Sequence, residues 1–570
     1  MQPIVDLLIR NIFMILIMSK LIYSDIGKPN ILFISCDDLN DWVGFLGGHP
    51  NTLTPNMDRL AKRSMVFERA YCASPICGPS RASVLTGLKP ENSGVYNNIG
   101  TYVEYVPKVK SLPRYFKDRG YVVMGAGKIN HSMGVVDKNN YHEYGPDAGA
   151  IGGPFTWEEL NMNPGNKVER DDIAGKRMTM ENGIIQNIYP GKVIARGRLK
   201  AILPLNGIDN RIDRPENGYN TFDWGEVDVS DNDMPDGQMA EWAEDKLKSH
   251  FKSPFFLAVG FYRPHQPWYA PKKYFEPFKN VDLPLPVMKE NDLQDCSVSA
   301  RQYAHYPWSG SYETVKQNDQ HKEAIRGYLA SVHFVDAQVG RLLDALDASS
   351  YSDNTIVVFW SDHGWELGEK EHWGKHSPWE GSMRVPLMIS LPKKWSVPSG
   401  RTSTFASLLD LYPTLPSHLD GLSLVPVLRK TKLDVRSFLT TSLGRSSFCI
   451  YKDNLKLIRY YDGNEELYDL EKDPHEFNNL MNHKGYKDKI NKLRKLAPLD
   501  DRYKAFVRYG RYKATIDKSD QIRIYDMLHP KSGIGEQFEV TDSEPHLLNE
   551  IKDFLKNQNI KDRYFTMERQ

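Results

Sequence analysis

The sequence predicts an α/β fold: a mainly parallel sheet flanked by helices, followed by a smaller C-terminal α+β subdomain with an antiparallel sheet. Three observations predict it. Short, apolar, β-rich runs recur at residues 30–35, 121–124, 255–259 and 355–359, each of strand length and continuous enough to be buried on both faces. Helical patterns lie between them, the order that gives parallel strands joined by crossover helices. From about Val435 the pattern changes to alternating segments, residues 448–451 and 455–458, as antiparallel strands require. A chain of 570 residues is long enough for a large core and for more than one structural unit.

In chain order, Arg10 precedes the apolar run Ile12-Phe13-Met14-Ile15-Leu16-Ile17-Met18. The run is far shorter than the roughly 20 apolar residues of a membrane span, so residues 1–24 read as a secretory signal peptide. A packed or unstructured leader is the plainer alternative. No later segment resembles a span, so no membrane association is expected once the signal is removed. Residues 57–70 carry Met57, Leu60, Ala61, Met65 and Phe67 among charges and predict a helix. Residues 324–346, with apolar positions mostly three and four apart, predict a longer one. Residues 145–234 are rich in Gly, Asn, Asp and Arg and weakly periodic, and read as an insertion that shapes a cleft. Residues 486–496 predict a helix beside the late strands. The expected division is a leader at 1–24, a main domain at 25–434 with its insertion, and a subdomain at 435–570.

Lys plus Arg equals Asp plus Glu at 73 each, so no overall field points to nucleic acid or lipid. An anionic ligand would need a local basic cluster. The five cysteines, Cys36, Cys72, Cys77, Cys296 and Cys449, are sparse and odd in number and describe no disulfide framework. At least one thiol is left for another role.

Ligands of an open α/β sheet bind beyond the carboxyl ends of its strands. The first apolar run leads into Asp37-Asp38, the second into Lys128 and His131, the third into His265, and the fourth into Asp362-His363, with Lys375 shortly after. Asp37, Asp38 and Asp362 supply hard oxygen ligands, and crowded carboxylates favour a divalent cation between them. Oxygen ligation suits calcium or magnesium, with His363 as a minor nitrogen ligand. A turn or helix cap is the bland reading of any one of these aspartates. Lys128, His131, His265 and Lys375 would singly be solvated or satisfied side chains; gathered at one edge they read as oxyanion-stabilising and proton-transfer groups. Trp42, Tyr262, Trp268, Trp365 and Trp373 flank these motifs as packing aromatics, with stacking on sugar rings as the alternative.

Cys77-Gly78-Pro79-Ser80-Arg81 opens what reads as a helix ended by Gly87. Free N–H groups and the helix dipole suit a tetrahedral anion, and Arg81 adds a guanidinium fork. The same positive surroundings depress a thiol pKa. Cys77 is therefore a thiolate nucleophile, a modified residue or a small core residue.

With Leu85-Thr86-Gly87 following, the pentapeptide resembles the Cys-x-Pro-Ser-Arg signature of the type I (formylglycine-dependent) sulfatase family, within the alkaline-phosphatase-like superfamily. The resemblance is nearest to the iduronate-2-sulfatase and bacterial polysaccharide (ulvan-type) branches, and residues 30–38, 127–131, 254–267, 328–347 and 361–375 carry it. It implies an alkaline-phosphatase-like sulfatase fold and hydrolysis of sulfate monoesters on a sulfated oligo- or polysaccharide, either a uronic-acid 2-O-sulfate or an algal polymer such as ulvan. It implies that a formylglycine-generating or sulfatase-maturing enzyme converts Cys77 to formylglycine (3-oxoalanine). The hydrate of that aldehyde would attack sulfur with one hydroxyl and expel sulfate with the other. It also implies one Ca2+ held by Asp37, Asp38, Asp362, His363 and residue 77. Arg81, Lys128 and His131 would orient and activate the hydrate, and His265 and Lys375 would bind sulfate and protonate the leaving oxygen. Residues 145–234 and about 280–320 depart from the iduronate-enzyme pattern, which leaves the sugar open. Two competing readings are a phosphomonoesterase or phosphodiesterase of the same superfamily and an inactive sugar-binding homologue. Cys77 and the basic cluster argue against the first, and retention of the candidate residues against the second. An exported protein of this kind is periplasmic in a Gram-negative bacterium, and lysosomal or extracellular in a eukaryote.

Overall fold

Strand β1 (Asn30–Asp37) is buried along its whole length, as its unbroken apolar run requires. The computed structural model describes residues 28–98, 101–131, 138–146, 206, 208 and 222–497, apart from 307–309, 396, 415–419, 431–433 and 445–446, and further short elements within 177–187 and 503–567. The expected leader and most of the insertion at 145–234 lie outside the described residues.

Eight strands form the main sheet: β1, β2 (Met65–Tyr71), β3 (Val122–Gly127), β4 (Glu143–Tyr144), β5 (Phe255–Pro264), β6 (Thr355–Ser361), β7 (Leu387–Ser390) and β8 (Gly400–Ser407), in the spatial order β8-β2-β7-β6-β1-β5-β3-β4. Every neighbouring pair is parallel except that β7 runs against both β6 and β2. β1 lies at the centre, with Ile34 opposite Phe359 of β6 and Val259 of β5. Its side chains divide between two cores. Leu32, Ile34 and Cys36 enter one, with residues of helices α1 (Pro55–Ala61), α3 (Pro235–Lys248) and α4 (His321–Ala348). Ile31 and Phe33 enter the other, with Ala82, Val84 and Leu85 of helix α2 (Cys77–Thr86). A sheet covered on both faces is the architecture that continuous apolar strands predict.

One expectation fails locally. Residues 57–70 are not a single helix: α1 ends at Ala61 and β2 begins at Met65. Met57 and Leu60 face one core as a helical pair, but Val66 joins that core while Met65 and Phe67 join the opposite one. That alternation has period two and only a strand can deliver it. The longer predicted helix is α4, with Ile325, Leu329, Val332, Val339 and Leu346 all buried.

Beyond the main sheet, β9 (Leu439–Gly444), β10 (Ser447–Lys452), β11 (Leu455–Arg459) and β12 (Glu465–Asp469) form a fully antiparallel four-stranded sheet. One face carries Phe448, Ile450 and Leu457 against Ile490 and Leu493 of the helix Lys487–Arg494. The other face sends Cys449, Tyr451 and Ile458 into the core shared with α2. The predicted fold class is thus the observed one. All five cysteines are free and buried, and no helix among the described residues is long and apolar enough to cross a membrane.

Candidate active site

β6, β1, β5 and β3 are consecutive parallel neighbours, so their carboxyl ends leave the sheet at one edge. Those ends deliver Asp362-His363, Asp37-Asp38, His265 and Lys128. The crowding depends on backbone detail. Gly127 has φ +72°, and a Cβ there would collide with the Gly260 carbonyl, so only glycine lets β3 and β5 approach closely enough to place Lys128. Asp38 itself is left-handed (φ 62°), a conformation that gathers at functional sites. The turn puts both aspartates on the same cluster, and the Tyr328 hydroxyl donates to the Asp38 carbonyl at 2.9 Å.

Helix α2 starts at Cys77 itself, and its left-handed cap is Gly87 as expected. Its first turn is less open than the sequence implies. The Gly78 N–H donates to Oδ1 of Asn98 at 2.7 Å, so a side chain occupies part of the expected anion site. Ser80 Oγ donates to the Asp362 carbonyl at 2.6 Å, tying the helix start to the end of β6.

Around Cys77 Sγ, Lys375 Nζ stands at 3.0 Å, His363 Nε2 at 3.2 Å and Asp37 Oδ1 at 3.6 Å. Lys375 Nζ also donates to Asp38 Oδ1 at 2.8 Å, and Lys128 Nζ pairs with Asp37 Oδ2. Arg81 Nε donates to Asp362 Oδ2 at 2.8 Å, and its Nη2 lies 3.7 Å from Asp37 Oδ1. His265 Nε2 is 3.8 Å from Asp38 Oδ2, and His131 lies within reach of Cys77, which raises its imidazole while burial holds it below its ordinary value. Every site residue predicted from sequence therefore converges on one point. The sequence does not foresee Asn98, and it assigns no role to Ser80 or Tyr328, although both lie within the motifs that carry the resemblance. Tyr328 is masked by its place in the apolar stripe of α4, and Asn98 belongs to no motif or period. The five flanking aromatics Trp42, Tyr262, Trp268, Trp365 and Trp373 are all buried, which assigns them to packing.

The charges are strongly coupled. Burial and the Asp37 carboxylate push the Cys77 thiol up, but Lys128, Lys375 and His363 outweigh them and hold it well below the ordinary thiol range. Burial raises Asp37 too, and Lys128, His265, Arg81 and Lys375 overcome it, so this carboxyl sits well below its usual value. Asp38 is pushed up to about 7 and Asp362 to about 6, chiefly by burial. Despite burial, Asp362 and Cys77 raise His363 to about 9. His265 is held well below its ordinary value by burial and by Lys375.

Asp37, Cys77, Asp362 and His363 each offer a donor atom within 4.8 Å of the others, and so do Asp37, Asp38, Cys77 and His265. Asp38 Oδ2 is fully buried and has no hydrogen-bond partner. Three buried carboxyls, one with an idle oxygen and two raised towards neutrality, form a donor set that fits a hard divalent cation.

The chain is similar to known proteins over most of its length. The family model described as Sulfatase matches residues 29–422, and one described as N-sulphoglucosamine sulphohydrolase, C-terminal, matches residues 368–501. A protein named Sulfatase from Formosa agariphila is 34% identical over 496 residues, covering 84% of this chain and 88% of its own. Iduronate 2-sulfatase of Mus musculus is 29% identical over 440 residues, covering 70% and 69%. Among solved structures, BT4656 in complex with its substrate D-glucosamine-2-N,6-O-disulfate superposes with a TM-score of 0.57 at 22% identity, over 82% of this chain and 97% of that one.

Proposed function

The chain belongs to the sulfatase family and is a sulfuric ester hydrolase; from that premise we propose that it removes sulfate from a sulfated carbohydrate, with Cys77 matured to formylglycine and one calcium ion bound. The observation that carries the proposal is the convergence of Lys375, His363, Asp37 and His131 on the side chain of residue 77. Formylglycine would supply, as its hydrate, the hydroxyl that attacks sulfur, and a formylglycine-generating or sulfatase-maturing enzyme is therefore the partner the reading calls for. Asp37, Asp38, Asp362 and His363 would hold the calcium with residue 77, and the ion would supply Lewis acidity and positive charge to the site.

The chain's own residues account for the rest. Arg81 is locked by Asp362 and keeps a fixed guanidinium beside Asp37. The Lys128 ammonium neutralises Asp37 and leaves the neighbourhood of residue 77 positive enough for an anion. His131 lies within hydrogen-bond reach of residue 77, the place for a group that takes a proton from it. His265 and Lys375 flank Asp38 and would bind sulfate and return a proton to the leaving oxygen. A sugar is supported by the relatives named iduronate 2-sulfatase and by the neighbour in complex with D-glucosamine-2-N,6-O-disulfate. A uronic-acid 2-O-sulfate or an algal polysaccharide such as ulvan is the specific class. Export rests on the leader at residues 1–24 and predicts a periplasmic enzyme in a Gram-negative host.

Mass spectrometry of the peptide containing residue 77, combined with sulfate release from a panel of sulfated oligosaccharides, tests the reading. Formylglycine is expected at position 77, together with release that a calcium chelator stops and added calcium restores. Cys77→Ala should abolish turnover while leaving the melting temperature within a few degrees of the parent. An unmodified cysteine in active protein would end the mechanism, and phosphate release exceeding sulfate release would end the class.

A further inference from the structure

Lys375 reaches Cys77 from a hairpin whose two short strands, Glu366–Leu367 and Trp373–Gly374, pair with Glu366 opposite Gly374. Behind that hairpin His372 is fully buried and touches none of the reacting groups. Its Nδ1 is 3.0 Å from the Ala304 carbonyl oxygen, and its Nε2 is 3.0 Å from the carbonyl oxygen of Lys375. Both partners are acceptors only. A neutral imidazole has one N–H and one lone pair, so it would satisfy one carbonyl and press its lone pair against the other. An imidazolium donates to both.

Two further features favour the charged ring. Ala304 lies in the last turn of the helix Val298–His305, where carbonyls lack partners within the helix and the dipole is negative. Glu366, also fully buried, stands with Oε2 at 3.8 Å from His372 Nε2. Its Oε1 accepts from Ser377 Oγ at 2.7 Å, but Oε2 has no hydrogen-bond partner. A buried carboxyl with an idle oxygen beside a doubly accepting histidine environment is what an ion pair leaves behind.

We infer that His372 is a positioning residue: as an imidazolium paired with Glu366, it staples the Lys375 backbone to the end of the Val298–His305 helix and so fixes the Lys375 ammonium against residue 77. What Lys375 does there rests on the sulfatase reading; the staple itself does not. Burial holds the His372 imidazole below its ordinary value even though the Ala304 and Lys375 carbonyls raise it, and burial pushes the Glu366 carboxyl well up, the direction that would move the shared proton to the carboxyl. The nearby Glu369 and Glu476 make that carboxyl more reluctant to ionise, and His305 opposes a charge on His372. The charged state of the ring rests on the geometry instead: two carbonyl acceptors at 3.0 Å, one on each ring nitrogen, which only the doubly protonated ring satisfies together.

The test uses the full-length matured protein. Heteronuclear NMR with isotope-labelled histidine, with the His372 signal identified by its loss in His372→Gln, should show protons on both ring nitrogens at neutral pH. A signal with only one protonated nitrogen overturns the pair. On an aryl sulfate, His372→Ala should lower kcat on the order of 100-fold with KM unchanged within about twofold, because a displaced Lys375 costs rate rather than binding. His372→Gln, which keeps a donor, should recover part of the loss. Glu366→Gln should lower kcat as well, and the double variant should be no worse than His372→Ala alone. Wild-type kcat in a folded His372→Ala protein overturns the positioning role. If the parent releases no sulfate, the functional reading fails, and the spectrum still decides the pair.

Discussion

Position 78 defines how tightly the residue-77 environment is built. A Cβ on Gly78 would lie 2.8 Å from both the Asn97 carbonyl oxygen and Asn98 Oδ1, closer than van der Waals contact permits. Gly78→Ala therefore has to push away the segment that accepts the Gly78 N–H, or shift the first turn of α2 and residue 77 with it. Overpacking of this kind costs about 1–3 kcal/mol, and a displaced reacting group loses rate steeply. The expected outcome is kcat lowered on the order of 10-fold or more, measured per molecule of formylglycine so that impaired maturation is separated from impaired turnover. Full activity per matured molecule would show that the Asn98 contact is dispensable. At this scale the sequence was highly legible where a residue follows a strand. Asp37, Lys128, His265 and Asp362 are each at or next to a carboxyl terminus, and strand order alone brings them together. Asn98 was illegible for the opposite reason: its bond to Gly78 joins positions 20 apart, a separation that no helix or strand period marks. His372 was hidden too, since an imidazole that meets only backbone carbonyls leaves no trace in residue spacing.

At the scale of elements, α1 explains both a misreading and a pH dependence. A seven-residue helix with Pro55 at its start and no side-chain cap of its own would not persist alone. Its cap comes from α4: Asp336 accepts from the Asn56 N–H at 3.1 Å, from Asn56 Nδ2 at 2.9 Å and from the Met57 N–H at 2.8 Å. The sequence could not reveal that partner, and without it the apolar spacing of residues 57–70 reads as one longer helix. Burial raises the Asp336 carboxyl from 3.8 to about 6, although these hydrogen bonds oppose the shift. A carboxyl raised in the folded state binds its proton more tightly there than in the unfolded chain. Its stabilising contribution is complete below 3.8 and is lost as pH rises through about 6. The stability difference between the parent and Asp336→Asn, measured by urea unfolding, should therefore decline as pH rises from about 4 to about 7. A constant difference would place the carboxyl at its ordinary value.

For the whole molecule, the question is what couples the antiparallel sheet to the main one, since alternating strands show that a second sheet exists without showing how it docks. The two share a core, where the Tyr71 and Tyr451 rings lie 4.3 Å apart. Above them sits a buried ionic cluster contributed by both units. Lys456 of β11 is fully buried, with Nζ at 3.0 Å from Glu380 Oε1 and 2.6 Å from Glu476 Oε1. Glu476 in turn accepts from the Glu380 N–H at 2.8 Å, and its carbonyl accepts from Lys370, on the hairpin that carries Lys375. Burial pushes the Glu476 carboxyl up to about 7 even beside Lys456, so that carboxylate depends on the lysine to remain charged. Removing one member of such a cluster leaves uncompensated buried charge and costs about 3–5 kcal/mol, whereas replacing the whole cluster with neutral groups is often neutral or stabilising. Lys456→Met should accordingly lower the melting temperature by several degrees and make the region after residue 435 the first to be cut in limited proteolysis. The triple variant Lys456→Met, Glu380→Gln, Glu476→Gln should regain most of the lost stability. Sulfate release by the single variant should fall in step with the folded fraction, because Lys456 makes no contact with residue 77 or its partners. If Lys456→Met melts like the parent and resists protease equally, the shared apolar core alone joins the two sheets, and the ionic cluster carries none of the coupling.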